Sequence, residues 1–155
     1  MRYIPQKHLE NLRQLVAPGK VVVICGARRV GKTTLVKEYL KGVKAKSLFV
    51  DGDDIVVREY LESQSISKLR DFVGDHTLLV VDEAQHVEKI GLNLKLIVDH
   101  IPTIRIVATG YSTNCLSETS NAESFSFIER FTCTPGKSTA KTPRRTSGSI
   151  EYSYQ

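Results

Sequence analysis

The chain has 155 residues, 41% hydrophobic and 25% charged, with a formal net charge of +5; it is long enough for one domain with its own core. Cys25, Cys115 and Cys133 have neither metal-like spacing nor an even count, so a reduced, cytoplasmic setting is expected. No apolar run nears the roughly 20 residues of a membrane span, and no leader segment is read at Met1-Arg2-Tyr3-Ile4-Pro5.

Residues 6–16 place Leu9, Leu12 and Val16 on one helical face, and Pro18-Gly19 ends that helix. A buried strand over 20–25 follows, from the run Val21-Val22-Val23-Ile24-Cys25. It leads into Gly26-Ala27-Arg28-Arg29-Val30-Gly31-Lys32-Thr33-Thr34, which has the form Gly-x4-Gly-Lys-Thr of a phosphate-cradling P-loop. The chemistry explains the residue types. The glycines let backbone approach phosphate oxygens closely, and successive N–H groups at a helix N-terminus bind an anion. Lys32 is expected at the β- and γ-phosphates and the Thr33 hydroxyl on Mg²⁺, with backbone from Ala27 through Thr34 forming the cradle. A helix over 32–42 completes the strand, loop, helix context.

Further along, residues 46–50 predict a second strand running into the acidic turn Asp51-Gly52-Asp53-Asp54, whose acids are expected to cap the next helix, a role near the nucleotide being the alternative. Residues 54–62 and 65–73 predict two helices, and 77–82 a third strand ending at Asp82-Glu83. Asp82 is expected to hold Mg²⁺ beside Thr33, and Glu83 to orient and deprotonate an attacking water. A pair of adjacent acids points to hydrolysis rather than simple retention of nucleotide. No Asn-Lys-x-Asp segment is present, which favours ATP over GTP. From Val87 the residues Ile90, Leu94, Ile97, Val98 and Ile101 follow a helical period that Pro102 closes. Residues 104–108 predict a fourth strand ending in Thr109-Gly110. Alternating strands and helices with short connections imply an α/β fold, three layers around a mostly parallel sheet.

At this point the sequence resembles the prokaryotic AAA-type P-loop ATPases, through Gly26–Leu35, Asp82-Glu83-Ala84-Gln85 and Ile106–Gly110. The resemblance spans residues 3–117, and it corresponds to the N-terminal ATPase domain of proteins whose C-terminal region has a poorly known function. It implies a P-loop NTPase fold of the additional-strand, RecA/AAA-like type. It also implies that Thr109 senses the γ-phosphate, Tyr111 standing where the family has serine. No arginine finger is recognisable in the sequence, so strong turnover is expected to need one from a homo-oligomer, a partner protein or a missing segment, with slow hydrolysis by the chain alone.

After Leu116 the family pattern is lost, which fits a shortened or frame-shifted form of a longer ATPase. The alternation at 124–131 reads as a last strand of a domain over 1–133. Residues 134–155 read as a disordered basic tail, with Lys137, Lys141, Arg144 and Arg145 against Glu151. Nucleic acid is a conceivable partner of that tail but is not supported by the rest of the chain. Arg28 and Arg29 are expected to be exposed or salt-bridged, the alternative being that they touch phosphate or serve a neighbouring subunit. His8, His76, His86 and His100 show no metal spacing, and His86 reads as a surface histidine. Two other functions remain open: a non-catalytic nucleotide-dependent switch, and a nucleic-acid-stimulated helicase-like ATPase, for which the chain has no room for a second lobe.

Overall fold

The structure, a computed structural model, describes residues 6–110 together with 128–133, 144–146 and 149–151. Its centre is a parallel five-stranded sheet of β1 (Val21–Gly26), β2 (Ser47–Asp51), β3 (Leu78–Asp82), β4 (Arg105–Gly110) and β5 (Ile128–Cys133), ordered β2-β3-β4-β1-β5. Strands buried on both faces need continuous apolar runs, and β1 and β3 supply them. Leu78, Leu79, Val80 and Val81 are all fully buried, each contributing about 1.5–3 kcal/mol relative to exposure.

Because side chains alternate across a strand, the sheet feeds two separate cores. Val22, Ile24, Leu78, Val80 and Val107 pack with Leu12 of α1 (Gln6–Leu15) and with Leu35, Val36 and Tyr39 of α2 (Lys32–Lys41). On the other face, Val21, Val23, Leu79, Val81 and Ile106 pack under α3 (Ile55–Leu61), α4 (Ile66–Val73) and α5 (Ile90–His100). This is the three-layer α/β arrangement expected. The caps of α3 and α4 follow ordinary rules: Asp54 accepts from the Val56 N–H at 2.8 Å and Ser65 from the Lys68 N–H at 3.4 Å.

One helix begins later than its apolar period predicts. After β3 the chain makes a short 3₁₀ turn over Ala84–His86, Val87 is extended (φ −94°, ψ 120°), and Lys89 is left-handed (φ 50°) before α5 starts at Ile90. Val87 is buried in this extended form, so its apolar character satisfies the core without helix. Asn93 ties this segment to its neighbours. Its Oδ1 accepts from the Gln64 N–H at 2.9 Å, while its Nδ2 donates to the Lys89 carbonyl at 3.1 Å.

The fifth strand lies at Ile128–Cys133, pairing in register from Val21↔Ile128 to Gly26↔Cys133. Residues 124–127 of the strand anticipated over 124–131 fall outside the described residues. Within the segment expected to be disordered, β6 (Arg144–Thr146) pairs antiparallel with β7 (Ser149–Glu151). A short hairpin of this kind needs only local pairing, which low hydrophobicity does not forbid.

Candidate nucleotide site

Every residue anticipated at the site comes from the C-terminal edge of the sheet, where open α/β sheets bind ligands. Strand β4 lies between β1 and β3, so Thr109 at its end stands between the glycine loop and the acid pair. In the loop, Arg29 (φ 63°) and Gly31 (φ 101°) adopt left-handed backbone, while Ala27, Arg28 and Arg29 face solvent. Glycine at 31 meets that φ without strain. Arg29 meets it at a cost, the kind of backbone strain that clusters at functional turns.

Helix α2 starts differently from α3 and α4. Its N-cap, Gly31, makes no side-chain cap where Asp54 and Ser65 cap the other two, and Lys32 is its first residue. An anion at that end would meet both the helix dipole and a cation. Lys32 is only 5% exposed, and its Nζ donates to the carbonyls of Gly26 at 2.9 Å and Ala27 at 2.7 Å. The ammonium is thereby drawn back over the loop that a phosphate would enter.

The carboxylate of Asp82 is 7% exposed and is held from two sides. Thr33 Oγ1 approaches both of its oxygens, at 3.0 and 2.9 Å, and Thr109 donates its hydroxyl proton to Oδ1. These are hard oxygen donors in contact, the ligand type that Mg²⁺ takes. Thr109 itself is fully buried, and its oxygen accepts the Glu83 N–H at 3.0 Å. The hydroxyl anticipated at a γ-phosphate thus serves Asp82 and Glu83.

Glu83 occupies left-handed backbone (φ 51°, ψ 44°), which costs a non-glycine residue about 1–3 kcal/mol and persists only where its surroundings impose it. Two neighbours flank it: the Thr109 oxygen on its N–H, and Gly52, whose N–H donates to the Asp82 carbonyl at 2.7 Å. A third is Gln85, whose Nε2 donates to Glu83 Oε2. Sequence reasoning missed Gly52 and Gln85, and took His86 for a surface residue. His86 is instead half-buried and set against Asp53 Oδ1. The only signal was the flanking of Gly52 by acids after β2, which does not reveal what it touches.

A parallel sheet in this order, with a glycine loop after β1, an acid pair after β3 and one strand between them, defines a P-loop NTPase of the additional-strand type. Residues 18–135 match the model of the AAA domain family, and the chain belongs to it; as an AAA domain it is a nucleotide-binding ATPase module. No curated protein sequence matches the chain. Among solved structures, a chain of Drosophila ORC bound to DNA is similar with TM-score 0.61 and 16% identity, over 84% of this chain and 89% of that one. The FIGL-1 AAA domain in complex with ADP gives 0.53 and 15%, over 81% and 48%. A DNA replication initiation factor gives 0.50 and 16%, over 81% and 43%. The present chain spans less than half of these last two, and at such identities the likeness is one of fold.

Among the described residues no helix is long and apolar enough to cross a membrane.

Proposed function

We propose that the chain binds ATP with Mg²⁺ and hydrolyses it slowly. The observation that carries this reading is the contact of Thr33 with both Asp82 oxygens, made beside the uncapped start of α2 where Lys32 stands. In it, backbone from Gly26 to Thr34 cradles the phosphates and Lys32 offsets their charge. Thr33 and Asp82 would hold Mg²⁺, which when bound supplies charge neutralisation at the β- and γ-oxygens. Glu83 orients the attacking water and takes its proton. Thr109 answers to the γ-phosphate through Asp82 and Glu83 rather than by touching it.

Fast turnover would draw on an arginine from a second copy or a partner protein, worth about 10³–10⁵ in rate. A cytoplasmic setting accords with the buried position of Cys25 on β1. The test is ATP binding and phosphate release with Mg²⁺. Lys32→Ala should lose binding, and Glu83→Gln should bind ATP without releasing phosphate. Binding by the wild type with no phosphate release at any protein concentration would instead make the chain a nucleotide-dependent switch.

A further inference from the structure

The residues that follow the acid pair form a chain of polar contacts running away from the nucleotide edge. Gln85 Nε2 donates to Glu83 Oε2 and also lies 3.4 Å from His86 Nε2. His86 Nδ1 in turn lies against Asp53 Oδ1, in the turn that follows β2. The polarity of this chain is internally consistent. In the neutral tautomer with its proton on Nδ1, the ring presents the Nε2 lone pair to the amide. One amide hydrogen then points at His86 and the other at Glu83. Turning the amide over would set its oxygen against the Glu83 carboxylate.

A second observation bears on the same side chain. Gln85 Oε1 is buried and has no partner among the described residues. A buried acceptor without a donor costs about 1–3 kcal/mol, and such groups call for an explanation. A glutamine free to choose would turn that oxygen to water. Here the amide is held in the one orientation that satisfies Glu83 and leaves its own carbonyl unpaired.

We propose that Gln85 is a positioning residue for hydrolysis: its amide, backed by His86 and Asp53, pins one carboxylate oxygen of Glu83 so that the other is aimed at the attacking water. This rests on the reading of Glu83 as the base. With Oε2 fixed by a donor, the carboxylate of Glu83 loses the rotation that would swing Oε1 off line. His86 is the weaker brace, since its contact to Gln85 is long and Asp53 is exposed.

The experiment measures steady-state phosphate release from ATP and Mg²⁺ for wild type, Gln85→Met, Glu83→Gln and the double variant, with thermal unfolding beside it. Met keeps the length of the side chain without the donor; Gln85→Glu, which sets a second carboxylate against Glu83, serves if Met prevents folding. The expected result is a kcat lower by about tenfold or more for Gln85→Met, an ATP KM within about twofold, and a double variant no slower than Glu83→Gln alone. A wild-type kcat in both Gln85 variants, or a loss that adds in full to that of Glu83→Gln, overturns the proposal. A Glu83→Gln enzyme that releases phosphate at the wild-type rate overturns the base reading itself, and is told apart from the first failure by that single variant.

Discussion

Gly52 lies directly against Glu83, with no room for a side chain between them. A Cβ at Gly52 would overlap the Glu83 carbonyl oxygen and stand 3.1 Å from its carbonyl carbon and 3.2 Å from the Asp82 oxygen. The obstacle is backbone on the far side, so it cannot rotate away as a long side chain could. The turn after β2 is therefore part of what fixes the left-handed backbone of Glu83.

Gly52→Ala should lower stability by about 1–3 kcal/mol, the usual range for overpacking. It should also depress phosphate release more than ATP binding, because Lys32 and the glycine loop belong to β1 and α2. Urea unfolding and a nucleotide-binding titration on the same preparation check both parts. An alanine variant with wild-type stability and turnover would show that the turn yields freely.

Thr109→Val removes a donor to Asp82 and strands the Glu83 N–H, while Thr109→Ser keeps the hydroxyl. An orphaned buried donor costs about 1–3 kcal/mol. Phosphate release by the valine variant should need more Mg²⁺ for half-maximal rate and reach a lower plateau, with serine close to wild type. A serine variant as impaired as the valine variant would show that the hydroxyl is not what sets the effect, since serine keeps it.

Tyr39 on α2 supplies a pH dependence. Burial pushes its phenol above the ordinary value, and the charges of Arg105 and Arg13 pull part of the way back. The folded state thus binds the phenolic proton more tightly than the unfolded chain does. That contribution is complete below the ordinary phenol pKa of about 10 and is lost as pH rises through and beyond it. Urea midpoints between about pH 8 and pH 11 should fall along this limb, and Tyr39→Phe should flatten it. An unchanged slope in the phenylalanine variant would assign the alkaline loss to other groups.

Much of this molecule could be read along the chain because its signals are local. The runs Val21–Cys25 and Leu78–Val81 announce strands buried on both faces, and Gly26 through Thr34 announces a phosphate loop by residue type alone. Asp54 and Ser65 are ordinary caps in ordinary places. What escaped depends on register across the sheet. Asp51 pairs with Asp82, and only that pairing brings the acidic turn onto Glu83 and sets Asp53 beside His86. The late start of α5 escaped for another reason. Val87 is buried whether helical or extended, so periodicity could not tell the two apart, and nothing in the residue type of Lys89 announces left-handed backbone.

The two hydrogen bonds of Lys32 to the loop carbonyls have an energetic consequence. A lysine stem has four rotatable carbons, and fixing a long side chain costs up to about 1.5–2 kcal/mol of rotamer entropy. In this chain that ordering accompanies folding, through Gly26 and Ala27. An ammonium carries three donors, two of which are engaged, so one N–H is left for an incoming oxygen on a stem that no longer has to be immobilised. Preorganisation of this kind moves an entropic penalty out of the association step and into the assembly of the domain.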